Sequence, residues 1–271
     1  MRPELLAITG IFIIFGLLEF FRTRLFSKPE QTRDDAMVEI IGSFVLLVIT
    51  QPGIILAAQF ILGNVAPQWQ GALAGIPLIA AIALFLVFDD MMQYFWHRLS
   101  HSVPFLYNLH RSHHNARYMS VRLVYRNNIF YYLTMPSIWF SGALIYLGLG
   151  WVYVGYIIVK MAVIVGAHSD VAWDAKLYRT ISTPATHHAH HGRHKSDGVT
   201  HYKGNFGNLL FFWDVLFGTA HITRRYPDSY GVENLAPATL GQQLAWPIFP
   251  ENKEDGHGVK ELAAIEAAAR T

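Results

Sequence analysis

From Ile40 through Phe88 the chain carries no Asp, Glu, Lys, Arg or His, a run of 49 residues, and from Asn127 through Val159 it carries none for another 33. A membrane-spanning helix needs about 20 apolar residues, so the first run holds two spans and the second a tight pair. Residues 5–21 (LLAITGIFIIFGLLEFF) add a further candidate. That stretch lacks the preceding cluster of positive charge and the following small-residue site of a cleaved signal peptide, and it runs into Phe20, Phe21 and Arg22, so it reads as a retained span. A soluble chain with buried helices is the alternative, and uncharged runs of this length argue against it. The expected spans are 5–21, 38–62, 72–96, 129–148 and 151–168. Breaks are expected at GNVAPQWQG (63–71) and at Gly148-Leu149-Gly150.

Charge outside the runs gives an orientation. Segment 22–36 holds Arg22, Arg24, Lys28 and Arg33, and segment 97–128 holds Arg98, Arg111, Arg117, Arg122 and Arg126, whereas neither of those two turns has Lys or Arg. The positive-inside rule places the basic segments and the C-terminal third in the cytoplasm, with the N-terminus outside. The expected fold is all-α: a multi-pass transmembrane helical domain with a cytoplasmic, histidine-rich di-metal cap. Its parts are N-terminal transmembrane helices (1–71), a catalytic domain that keeps transmembrane helices (72–225) and a cytoplasmic tail (226–271). Within the tail, 259–270 reads as a short amphipathic helix of no catalytic importance. The net charge of +2 gives no reason to expect a nucleic-acid partner, and the absence of cysteine excludes disulfides and thiolate-held metals.

The histidines carry the chemistry. None of the fourteen lies in the first 96 residues, and twelve fall between His97 and His201. Three groups have ligand spacing: HRLSH (His97, His101), HRSHH (His110, His113, His114) and HHAHH (His187, His190, His191). Spacings of three and four put side chains on one helix face. The adjacent third histidine of the later groups is rotated away, so it can serve a neighbouring ion. Eight imidazoles are too many for one first-row ion and suit two. In the third group the His-x-x-His-His pattern fits only from His187, which leaves His188 and His194 as surface or supporting residues. His168, just past the fifth span, is a candidate ninth ligand, and His221 and His257 read as structural.

An unbroken helix from 72 to 101 would reach about 45 Å against a hydrocarbon core of about 30 Å, raising His97 and His101 on a stalk above the membrane. Imidazole suits zinc, copper, iron and nickel alike. Neutral ligands leave the ions' charge uncancelled, so carboxylates are expected to orient the rings. Asp90, seven residues before His97, and Tyr94, three before it, share its face. Lys160 lies within the fifth span, where it must snorkel to the interface or meet a partner, a polar lipid head or a cavity carboxylate.

With DMMQYFWHRLSH (90–101), HRSHH (110–114), PATHHAHH (184–191), Asn205-Phe206-Gly207 and WDVLFGT (213–219) in hand, the chain resembles the fatty acid hydroxylase/sterol desaturase superfamily over roughly residues 75–225. The resemblance implies two iron ions, with dioxygen as co-substrate, a lipid drawn from the bilayer and an external electron donor of cytochrome or ferredoxin type. It adds Asn205 to Asp90 and Tyr94 as catalytic candidates. It also implies residence in a bacterial inner membrane or the endoplasmic reticulum. Lys203 stands where many members have Asp, and there is no His-Pro-Gly-Gly haem motif or Gly-x-Gly-x-x-Gly fingerprint, so electrons are expected from a separate protein. Zinc is expected to compete for the same ligands on overexpression. The expected activity is hydroxylation of a fatty acyl, sterol or related lipid, with desaturation or carotenoid hydroxylation open on the same residues. A metal transporter would place its ligands near the midplane on broken helices, and a structural metal site would need no open coordination position.

Overall fold

The long uncharged run divides where its helix-breaking residues lie. We describe the chain from a computed structural model that covers residues 3–249 apart from 24, 26–27, 29–30, 174–177 and 233–238. His257, the 259–270 segment and the Glu233–Pro237 loop therefore lie outside the described residues. Helix α1 (Pro3–Arg22) forms over the first apolar stretch. Helix α2 (Arg33–Val65) starts at Thr32, whose hydroxyl accepts the Asp35 N–H while the Asp35 carboxylate accepts the Thr32 N–H, a reciprocal cap. It stops before Pro67. Helix α3 (Leu78–Ser100) begins after Pro77, later than the expected 72, because residues 71–76 form turns pinned to the opposite loop.

Three apolar helical stretches among the described residues are long enough to cross a membrane: α2, α3 and Pro136–His168. The third is folded on itself. Gly148 adopts φ 101°, a conformation open mainly to glycine, and it separates α6 (Pro136–Leu144, continued by a wider turn) from α7 (Gly150–His168). Gly71 and Leu73 donate to the carbonyls of Tyr146 and Leu147 at 3.1 and 2.8 Å, which holds this tip against the α2–α3 loop. The break expected at Gly148 is present, but the arm before it, Pro136–Leu149, is shorter than the expected span 129–148. Helix α5 (Ile129–Leu133) ends at Thr134, and Pro136 starts a new helix, since proline fits a first turn and not an interior.

The opposite end of the bundle is where the polar residues sit. Helix α4 (Pro104–His114) follows α3 after a short turn, and α8 (Pro184–His191) starts at Thr183, capped against Thr186 with Pro184 at its first position. Glu19, fully buried at the end of α1, accepts from Ser120 Oγ (2.7 Å) and from the amides of Val121 and Asp170 (both 2.9 Å). Arg126 pairs with Asp35 at 2.6 Å and Arg122 with Glu39 at 3.2 Å. These pairs tie α1 and α2 to the segment after α4. The only strand-type pairing among the described residues is one bridge, Gly192 to Tyr230.

The segment 205–219, with the short helix α9 (Phe212–Leu216), lies along α3 from Asp90 to His97. The expected free stalk is therefore wrapped. The outer face of this segment is apolar: Phe212, Val215, Leu216 and Phe217 are exposed. Part of the expected tail also packs back. In α10 (Leu240–Ala245), Gln243 is buried and accepts from Arg126 at 2.6 Å.

Candidate metal centre

Nine histidines converge in two groups. His97, His101, His110, His114 and His190 form site A; His113, His168, His187 and His191 form site B. Within each group the ligating nitrogens all lie within 4.8 Å of one another. All eight histidines of the three boxes are included, and His168 is the ninth. The adjacent pairs divide as rotation by one residue requires: His114 and His190 serve site A, His113 and His191 site B. The rings of His114 and His191 stack at 4.3 Å where the two sites meet.

The protonation pattern tests whether these residues suit a cation. A carbonyl oxygen only accepts, so a ring nitrogen facing one carries its proton. His97 Nδ1 faces Phe206 O at 2.8 Å, His190 Nδ1 faces Gly204 O at 2.7 Å, His113 Nδ1 faces Arg126 O at 3.1 Å, and His168 Nδ1 faces Ile164 O at 2.9 Å. His110 Nδ1 faces the side-chain carbonyl of Asn127 at 3.2 Å, and its ring stacks on Tyr131 at 4.6 Å. In each of these five rings Nε2 is bare, and its lone pair points inward.

The inward nitrogens crowd together. His97 and His190 approach to 3.0 Å, His110 and His114 to 3.2 Å, His168 and His187 to 3.0 Å, His113 and His168 to 3.3 Å, and His187 and His191 to 3.1 Å, all Nε2 to Nε2. Two imidazoles on one ion at about 2.1 Å, roughly at right angles to tetrahedral, stand about 3.0–3.4 Å apart. His101 Nε2 is buried without a hydrogen-bond partner. Such an arrangement of lone pairs repels itself unless a cation sits among them, so the residues fit one ion in each site. Burial first, and then the neighbouring imidazoles, hold His101, His110, His114, His187 and His191 well below the ordinary histidine range, in the neutral form a ligand requires.

The three residues expected beside the ligands lie around them in a different way. Asp90, Tyr94 and His97 do share a face, but what Asp90 and Tyr94 grip is the 205–219 segment. Asp90 accepts from the amides of Leu209 (3.2 Å) and Leu210 (3.1 Å) and from the Trp213 indole (2.8 Å). The Tyr94 hydroxyl pairs with Thr219 Oγ1 at 2.9 Å. Asn205, at φ 59°, donates to the carbonyls of Thr186 (2.8 Å) and His221 (2.9 Å) and accepts from the His221 amide (2.6 Å). The expectation that carboxylates orient the rings is corrected for five of the nine: their partners are peptide or amide carbonyls, which a neighbouring backbone supplies without burying another charge.

The supporting histidines also find places. His188 is buried, donates from Nε2 to Ser169 O and accepts the Tyr230 hydroxyl at Nδ1, both at 3.0 Å, so neither nitrogen is left for an ion. His201 stacks on His221 at 4.8 Å, and His194 is half-buried at the start of a short turn. Lys160 does not snorkel. It is buried and paired with Asp89 at 2.6 Å, the carboxylate partner being one helix away on α3. A wider turn over Leu86–Met91 lets Asp89 face α7 while Asp90 faces the wrapping segment. Sequence reasoning missed Asn127, Tyr131 and Asp214. The first two carry no local signal, whereas Asp214 stands inside the WDVLFGT motif without an assigned role.

Comparison with known proteins agrees with this geometry. A family model described as fatty acid hydroxylase matches residues 82–219, which contain every histidine of both sites. An ornithine lipid hydroxylase of Rhizobium tropici is 28% identical over 210 residues, covering 72% of this chain and 60% of that protein. Alkylglycerol monooxygenases of Danio rerio and Homo sapiens are 28% and 25% identical over 132 and 131 residues, each covering 48% of this chain and 28% of the relative. The chain thus spans less than two thirds of the length of these relatives. No solved structure matches.

Proposed function

The chain belongs to the fatty acid hydroxylase family, and on that premise we propose that it is a multi-pass membrane di-iron monooxygenase that hydroxylates an aliphatic chain of a polar lipid. The observation that carries the reading is the convergence of nine inward-facing imidazoles on two points at the end of an apolar helical bundle. Iron bound there supplies dioxygen activation and reversible one-electron chemistry. The chain's own part is to hold nine neutral donors in place, keep the outer nitrogens of five of them protonated against carbonyls, and bury the inner ones away from water. One relative is named a hydroxylase of ornithine lipid and the other a monooxygenase of alkylglycerol, and both names favour hydroxylation over desaturation. Phe212, Val215, Leu216 and Phe217 are exposed, and the Phe217 ring packs on Phe95 of α3 at 4.9 Å, which gives an aliphatic chain an apolar approach along this segment.

The reaction consumes two electrons and two protons beyond those of the C–H bond, and the electrons come from a separate donor of cytochrome or ferredoxin type. Purified protein loaded with ferrous iron and given such a donor, a polar lipid and isotopically labelled dioxygen should place the label in a lipid alcohol. Label arriving from water, or full turnover with zinc alone, would make the site hydrolytic and end this reading. Orientation has its own test, and the absence of cysteine makes it clean. With the metal sites cytoplasmic, cysteine placed at exposed Ser196 resists a membrane-impermeant thiol reagent in intact cells, and cysteine at exposed Gln68 reacts. The reverse pattern would invert the topology.

A further inference from the structure

The two carbonyls that orient His97 and His190 belong to one stretch, Gly204–Gly207, and both peptide units are held from behind. The peptide whose oxygen accepts His97 has its N–H on Gly207, which donates to Asp214 Oδ2 at 2.7 Å. The peptide whose oxygen accepts His190 has its N–H on Asn205, which donates to Thr219 O at 3.1 Å. Thr219 is in turn fastened to Asp214: its hydroxyl donates to Oδ1 at 2.7 Å and its amide to the Asp214 carbonyl at 2.9 Å. Phe206 N–H completes the set, donating to Oδ1 at 2.8 Å. Burial pushes the Asp214 carboxyl up, and the three donors work against it by favouring the acceptor-only, ionised form. The approach is close enough to require glycine, since a Cβ on Gly207 would stand 2.6 Å from Leu210 O and 2.9 Å from Asp214 Oδ2.

A peptide is a conjugated unit. Negative charge at its N–H raises electron density on its oxygen, and chained hydrogen bonds strengthen one another. The oxygen facing His97 is therefore a stronger acceptor, and a stronger acceptor at Nδ1 makes Nε2 a better donor to metal. Site B is supported differently. His168 is held by the carbonyl of Ile164 within α7, and His113 by the carbonyl of Arg126, whose side chain is a buried cation. We propose that Asp214 is a positioning residue that acts on site A through the 206–207 peptide, orienting His97 and raising its donor strength, so that the two ions are held unequally.

The proposal rests on the two-ion reading of the site and is independent of which lipid is oxidised. The test is titration of the full-length purified protein with cobalt(II), followed by its visible absorption and by competition with a chelator. Wild-type protein should take up two ions, and failure at that step would strike the two-ion reading itself. In Asp214→Asn one of the two ions should be weakened about 10- to 100-fold, the range for loss of a group that supports a ligand, with the other unchanged. Asp214→Glu should recover part of the loss. Thr219→Val keeps the carboxylate and removes one donor, so it should fold where Asp214→Asn does not and weaken the same ion by a smaller factor. With isotopically enriched iron, only one of the two Mössbauer signals should shift. Equal weakening of both ions in Asp214→Asn and Thr219→Val, or no weakening in either, would overturn the proposal, because the 204–207 carbonyls that Asp214 holds face histidines of site A alone.

Discussion

Site A draws five histidines from the end of α3, from α4 and from α8, whereas site B draws four from α4, α7 and α8. All four histidines of site B are buried, whereas His101 of site A, at the turn between α3 and α4, is half-buried and has only its Nε2 fully enclosed. Two of the carbonyls behind site A lie on the wrapping segment 204–207, and those identified behind site B lie on α7 and on the segment after α4. The same ligand type is thus held once by a segment with an apolar outer face and once by the interior of the bundle. The difference teaches that loss of a histidine from site A should disturb the core less than loss of one from site B.

The largest expected effect breaks this comparison outright. His168→Ala should abolish activity and leave one ion bound, because site B then keeps three ligands and a cavity inside the bundle. His101→Ala should also abolish activity but retain the site B ion and most of the thermal stability. Metal analysis together with a melting curve checks both, and equal destabilisation by the two variants would erase the distinction. The next effect concerns the tie between the helices that carry the sites. Lys160 on α7 and Asp89 on α3 form a buried pair, so Lys160→Met should cost about 3–5 kcal/mol by stranding Asp89. Removing both charges in Lys160→Met with Asp89→Leu should cost much less. A lipid-head role for Lys160 would show as lost substrate use in the double variant at normal stability.

The smallest effect is in acid. His188 supports site B from outside through Ser169, and burial holds its imidazole down, at about 3. The sign follows from proton counts. The unfolded chain binds a proton at this group below about 6.5 and the folded chain does not, so folding loses stability as pH falls from about 6.5 toward 3. The metal-free protein should therefore lose stability with a steep slope through this window, and His188→Phe should make the slope shallower while both ions still bind. An unchanged slope would remove His188 from the account of site B.

Much of this was legible in the residues because it is local. Spacing by three and four is a property of one helix, so the eight box histidines and the register starting at His187 follow from counting. The break at Gly148 follows from backbone chemistry at a single residue. His168 was harder, since nothing next to it repeats, and it was reached only from its place just beyond a span. The helix boundaries near 72 and 134 were misjudged because a run without charge says nothing about where a proline or a pinned turn divides it.

By itself, then, the sequence determined which histidines share a helix face and where the apolar helices run, both of which depend on residue type and short-range period. Tertiary structure alone decided which histidine joins which group. Within His-x-x-His-His the first and last histidines, four apart, share a group, and the middle one goes to the other; the spacing permits either partner for the first, and only the placement of α3, α7 and α8 around α4 selects one. It also decided the roles of Asp90, Tyr94, Asn205 and Asp214. The Asp90 and Tyr94 side chains meet residues more than a hundred positions away, while Asn205 and Asp214 act by tying down the loop whose carbonyls face His97 and His190. Hydrogen bonding to a carbonyl depends on where a backbone passes, and a backbone's path is set by packing across the whole chain.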